Sequence, residues 1–194
     1  MAEILFFHHV QGRTAGVTAL ADALRAGGHT VHTPDLFDGR VFPSIDEGIA
    51  HADGLDGAQV AAEVDRIAAA LPPELVYAGI SWGAAQAQRL AQTRAGARGA
   101  VLLESFVSLS APWSFGPWPE GVPVQVHGKA ADPFFAGEGD LEGAQELIAS
   151  GVPGAELYVY PGDQHLFCDR SLASYDAAAT ELLTTRVLDF LGRV

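Results

Sequence analysis

Gly79-Ile80-Ser81-Trp82-Gly83 narrows what this chain can fold into more than any other segment, because it falls between an apolar run and a helical pattern. Leu75 to Ala78 reads as a buried strand, and a helix from about Trp82 to Thr93 follows it with almost no loop. A chain that passes from strand to helix so quickly must turn sharply at the residue between them. Glycine two positions before and two after leaves room where a side chain would meet backbone, so the G-x-S-x-G spacing is a steric requirement of the turn. The turn presents the Ser81 hydroxyl, and the first amides of the helix aim positive partial charge at it. A glycine-bounded turn with an ordinary serine is the other reading. The strand before and the helix after favour the nucleophile.

The same alternation runs through the whole chain. Ile4 to Phe7 suits a buried strand, and Val17, Leu20, Ala21 and Leu24 mark one face of a helix that ends at Gly27-Gly28. His29 to Thr33 reads as a second strand, stopped by Pro34. Val60, Val64 and Ile67 mark a further helix before Pro72-Pro73. Strands follow near residues 99–103, 122–127 and 156–160, and Leu183, Val187, Phe190, Leu191 and Val194 share a face of a last helix. Strands separated by helices require crossover connections, hence a mostly parallel sheet. The expectation is an α/β fold: one doubly wound sheet of about six strands with helices on both faces, forming a single domain over residues 1–194. With 48% of its residues hydrophobic, the chain can supply that core.

Two stretches show no clear periodicity. Asp35 to Gly57 carries glycines and scattered acids, and Ser105 to Gly121 holds Trp113, Phe115 and Trp118 among prolines and glycines. Both follow strands, so both should emerge at the carboxyl edge of the sheet, where open α/β folds bind ligands. Trp113, Phe115 and Trp118, with Phe134 beside Phe135, are candidate walls of an apolar pocket. Core packing is the competing role for each, and the aromatic loop suits a homodimer contact as well as a ligand.

A serine hydroxyl is a weak nucleophile until a base takes its proton. In this architecture the partners follow the serine in the order acid, then histidine. Asp132 comes after the strand at 122–127, in Gly128-Lys129-Ala130-Ala131-Asp132-Pro133, and His165 comes after the next, in Pro161-Gly162-Asp163-Gln164-His165. Glu104 is a second candidate for the acid, at the end of the strand that follows the elbow. Asp163 is a third, although a loop neighbour seldom meets an imidazole edge-on. His127 suits a structural strand end, and His29, His32 and His51 belong to no constellation. The amide of Trp82 and one from the loop His8-His9-Val10-Gln11-Gly12 are the candidate oxyanion donors. Adjacent histidines on an extended segment point to opposite faces, so His8 and His9 do not suit one ion. No metal and no organic cofactor is expected.

Charge and cysteine content remove other classes. Eleven Lys and Arg against 24 Asp and Glu leave a net charge of −13, which repels polyphosphate, so nucleic acid is not an expected partner. Cys168 is the single cysteine; it excludes an intrachain disulfide and reads as a packing residue. No basic start with a long apolar run follows Met1-Ala2-Glu3, and no run approaches the ~18 apolar residues of a membrane span. A soluble cytoplasmic protein without membrane contact is the expectation.

Taken in order, His8 to Gly12, Thr33-Pro34-Asp35-Leu36-Phe37-Asp38-Gly39, Gly79 to Gly83, Gly128 to Phe134 and Pro161 to His165 resemble the dienelactone hydrolase family of small α/β-hydrolases over nearly the whole chain. The resemblance implies an α/β-hydrolase fold, a triad at Ser81, Asp132 and His165, and a second oxyanion donor at the Val10 amide. Three positions depart from the family's pattern. Members that open dienelactone carry cysteine where this chain has Ser81, a glutamate where it has His9, and an arginine where it has Asp169. Dienelactone specificity is therefore not implied.

The expected function is cleavage of a small carboxylic ester or lactone through an acyl-enzyme on Ser81, with His165 as base and Asp132 as its orienting acid. His9 is placed beside the nucleophile by the resemblance, where its protonation would alter the acid limb of the rate profile. The alternative is a non-catalytic protein of the same fold that binds a small ligand or a protein partner.

Overall fold

The computed structural model describes residues 1–194. Six strands form one sheet: β1 (Glu3–Phe7), β2 (Thr30–His32), β3 (Val76–Ile80), β4 (Gly99–Leu103), β5 (Val124–Lys129) and β6 (Ala155–Tyr160). Their order across the sheet is β2-β1-β3-β4-β5-β6, and every neighbouring pair is parallel. Helices α1 (Ala15–Ala26), α2 (Ile45–Asp53), α3 (Gly57–Ala69), α4 (Trp82–Thr93), α5 (Asp140–Ala149) and α6 (Ala177–Leu191) complete the architecture. It is an α/β-hydrolase fold with helices on both faces of the sheet.

Side chains alternate across each strand, and both faces are covered, so the central strands β1, β3 and β4 read as nearly unbroken apolar runs. Ile4, Phe6, Ala78, Ile80, Val101 and Leu103 pack with α1 and α6 on one face. Leu5, Phe7, Tyr77, Ala100, Leu102 and Val126 pack with α3, α4 and α5 on the other. After β1 the chain moves outward to β2, then returns past β1 to β3. The sheet therefore changes winding direction between β1 and β3, and the loops leaving those two strands diverge there. A crevice at such a point is where open α/β sheets bind ligands.

Several local expectations are adjusted. Residues 35–57 are not wholly irregular, because α2 lies within them, started by Ser44, whose side chain accepts the Glu47 amide. Gly48 is the helix's only fully buried residue, so no apolar stripe marked it. A Cβ at Gly48 would strike the carbonyl of Val10, which shows α2 lying directly on the loop after β1. α5 was also unmarked, since it buries mainly small residues, Gly143 and Ala144 beside Leu147. β5 begins at Val124 rather than at 122, after Pro123, which has no amide to donate to the sheet. α6 stops at Leu191, so Val194 is not on its face. No helix is long and apolar enough to cross a membrane.

Candidate active site

Ser81 occupies the single residue between β3 and α4, at φ 51° and ψ −119°. That left-handed conformation is rare for a residue with a side chain, and it persists only where its surroundings hold it. Here the Ser81 amide donates to the Leu103 carbonyl at 2.7 Å, and its carbonyl accepts from Ala84 at 2.8 Å. A Cβ at Gly79 would collide with the Gly83 carbonyl, and one at Gly83 with the carbonyls of Phe7 and His8. The two glycines thus let α4 press against both its own strand and the end of β1. The Ser81 hydroxyl does not cap the helix and is free to point elsewhere.

It points to His165. The Nε2 atom lies 2.9 Å from Ser81 Oγ, and Nδ1 lies 2.7 Å from Asp132 Oδ2. A carboxylate only accepts, so Nδ1 carries the ring proton and Nε2 presents a lone pair to the serine. Asp132 is fully buried, and its other oxygen accepts the amides of Phe134 at 2.9 Å and Phe135 at 3.3 Å. That turn fixes the carboxylate before the imidazole meets it. The two loops are joined, since the Ala131 amide donates to the Gly162 carbonyl and Lys129 Nζ donates to Gln164 Oε1. The Phe134 ring lies against the imidazole, with centroids 4.6 Å apart. Burial alone would make the imidazole harder to protonate, but the Asp132 bond and the Glu104, Asp132 and Asp140 charges outweigh it and raise its pKa.

The expected oxyanion donors lie on the two loops that flank the switch in winding. The Val10 amide donates to no protein acceptor although the residue is buried. Trp82 opens α4, where amides have no partner within the helix. Gly12, at φ +89°, closes the Val10 loop through its amide to the His9 carbonyl.

The remaining candidates separate. His9 does not face the serine. Its Nε2 lies 2.8 Å from Asp169 Oδ2 and its Nδ1 accepts the Gln11 amide, which commits both nitrogens away from Ser81. Trp118 is not a pocket wall either; it packs with Phe106 in the core, and its indole donates to the Val122 carbonyl at 2.7 Å. Trp113 is 73% exposed, and Phe115 is half-buried on the same loop. Of the four aromatics, only Phe134 touches the histidine. Glu104 and Asp163 both yield to Asp132 as the hydrogen-bond partner of Nδ1; Asp163 instead bonds Gln164. The sequence did not reveal an aromatic cluster over the start of α4, in which His8 stacks on Trp82 and Phe37 meets Trp82, Phe42 and His51. These residues come from three separate segments, and no periodicity links them.

Glu104, Asp132 and His165 bring a ligand atom each within 4.8 Å of one another. The carboxylate oxygens there already accept protein N–H or S–H groups, so the donor set is one of satisfied hydrogen bonds rather than a cradle awaiting a cation.

The model of the dienelactone hydrolase family matches residues 2–194. The chain belongs to that family. No curated protein matches it in sequence. Among solved structures, a candidate dienelactone hydrolase from Klebsiella pneumoniae superposes with a TM-score of 0.79 at 18% identity, covering 100% of this chain and 88% of its own. A dienelactone hydrolase-like promiscuous phosphotriesterase from metagenomic libraries gives 0.74 at 19%, over 100% and 86%. Esterase 2 of Thermogutta terrifontis, phosphoramylated by tabun, gives 0.70 at 18%, over 99% and 83%. At such identities the likeness is one of fold. Within the family, this dienelactone hydrolase-type chain carries serine at the elbow.

Proposed function

We propose that the protein is a serine hydrolase that cleaves a small carboxylic ester or lactone through an acyl-enzyme on Ser81. One observation carries the reading: a continuous hydrogen-bonded path from Asp132 through His165 to the hydroxyl of Ser81. Ser81 Oγ attacks the carbonyl carbon as Nε2 of His165 takes its proton. The new oxyanion turns toward the amides of Val10 and Trp82, each worth about 3 kcal/mol in comparable sites. His165 returns the proton to the leaving oxygen, the bond to that oxygen breaks, and the acyl group stays on Ser81. A water that gives its proton to Nε2 then attacks the acyl carbon, and Ser81 leaves with the proton restored. Asp132 holds the tautomer and offsets the imidazolium charge throughout. Phe134, lying on the imidazole, gives the acyl side an apolar wall.

Family membership supports hydrolysis, and the esterase and phosphotriesterase of similar fold make an ester a sensible class to test first. The experiment is incubation with a fluorophosphonate, followed by peptide mass spectrometry and by p-nitrophenyl acetate turnover in the wild type and Ser81→Ala. Labelling at Ser81, with turnover lost in the variant, is expected. Folded wild-type protein that stays unlabelled overturns the reading.

A further inference from the structure

Two carboxylates face the protonated edge of the imidazole. Asp132 Oδ2 is 2.7 Å from His165 Nδ1, and Glu104 Oε2 is 3.7 Å from the same atom. Glu104 directly follows β4 at φ 60°, a conformation that side chains rarely adopt. It is 1% exposed. Its Oε2 accepts the amides of Leu166 and Phe167, and its Oε1 accepts the Cys168 thiol at 3.2 Å. Those are the three residues after His165, and Leu166 is itself held at φ 59°. Burial, with the nearby Asp132 charge, raises the Glu104 pKa, and the His165 charge and the Cys168 and Leu166 bonds act against that rise; the two amides are the donors that an ionised carboxylate needs. The mechanism above uses Asp132 alone and leaves this buried charge without a task.

We propose that Glu104 is a positioning residue for His165, a second carboxylate that fixes the backbone carrying the ring and shares with Asp132 the imidazolium formed during turnover. The proposal rests on the reading of Ser81, His165 and Asp132 given above. The other groups facing the ring are Ser81 from the elbow and Asp140 from the first turn of α5, with the Cys168 thiol on the far oxygen of Glu104. Only Asp132 and Glu104 bring a carboxylate within 4 Å of a ring nitrogen. Because protonated His165 cannot act as base, the acid limb of kcat/KM reports its titration.

The test is the pH profile of p-nitrophenyl acetate hydrolysis for the wild type and Glu104→Gln. Glutamine keeps an oxygen for the two amides and removes the charge. The expected result is an acid-limb midpoint lower by about one pH unit, with kcat at neutral pH lower by about tenfold and KM little changed. An unmoved midpoint in folded variant overturns the proposal. Fluorophosphonate labelling separates it from the reading beneath: labelled Ser81 with an unmoved midpoint removes only the role of Glu104, whereas unlabelled wild type removes both. A second measurement covers a Gln variant that does not fold. In Asp132→Asn, where Glu104 remains as the nearest carboxylate, an NMR titration of His165 is expected to keep its midpoint above about 6.5, the value for a free imidazole. A midpoint below that value overturns the proposal.

Discussion

His9 Nε2 and Asp169 Oδ2 meet at 2.8 Å with both side chains buried, and the contact ties the loop after β1 to the loop after β6. These are two of the three positions that the resemblance sets apart from members that open dienelactone, and in the fold they touch each other. Burial opposes the charge on Asp169, but bonds from His9, Ser171 and Thr14 outweigh it and hold the carboxyl down at about 2. On its other nitrogen His9 receives the Gln11 amide, one residue past Val10. The pair therefore acts on the same loop as Val10, the proposed oxyanion donor. Denaturant unfolding of His9→Gln, Asp169→Asn and the double variant is expected to give a coupling of about 1–3 kcal/mol. Strict additivity would mean that the two residues act separately.

Ser81 holds a conformation that glycine adopts without strain. Ser81→Gly is expected to stabilise the chain by about 1 kcal/mol while removing hydrolysis, because strain at such a residue costs about 1–3 kcal/mol and glycine gives back part of that gain in unfolded-state entropy. Thermal unfolding at neutral pH checks it. A lower midpoint than wild type would show that the elbow is not strained.

Two buried histidines, His8 and His127, contribute to the response to acid. Burial lowers His8 to about 4 and His127 to about 3, where the positive Arg186 adds to the effect. The unfolded chain then binds these protons first, so the contribution is complete above about pH 6.5 and is lost as pH falls toward 4. At about 1.4 kcal/mol per unit, His8 alone withdraws about 3 kcal/mol over that range. His127 is held by Tyr160 at 2.8 Å and Gln125 at 2.7 Å, so His127→Gln should lower stability at pH 7 yet flatten its decline in acid. Urea unfolding at pH 7, 6, 5 and 4.5 reads the slope, and an unchanged slope removes His127 as a cause.

Gly79 and Gly83 should not tolerate alanine. The atoms that a Cβ would meet are backbone carbonyls, which cannot swing aside as a side chain can. Gly83→Ala is expected to cost at least about 3 kcal/mol or to prevent folding, since it drives α4 away from β1. Soluble expression with a wild-type unfolding midpoint would contradict the close approach.

The aromatic residues should divide by position. Phe134→Ala is expected to lower kcat/KM for p-nitrophenyl acetate about tenfold, because its ring lies on the imidazole. Trp113→Ala is expected to change it less than about twofold, since Trp113 stands 73% exposed. Equal losses would place Trp113 at the substrate after all.

The strands, the elbow and the places of Ser81, Asp132 and His165 just after strands were legible because each is a local property. A short apolar run, a glycine-bounded turn and a residue at a strand's end are all written in consecutive positions. α4 and β4 fall at the expected residues for that reason. α2 and α5 did not show, because they bury glycine and alanine more than large side chains. Trp118 had the composition of a pocket wall, and only the position of Phe106 and Val122 made it core.

By itself, the amino-acid order determined an all but complete sheet and where a reactive hydroxyl should stand. The folded chain alone decided that His9 turns to Asp169, 160 positions away, and that Glu104 reaches the backbone after His165. A polar group's partner is whichever group the packing brings within 3 Å once water has been excluded, and burial at the junction of the loops after β1, β4 and β6 has no signature in any one of them.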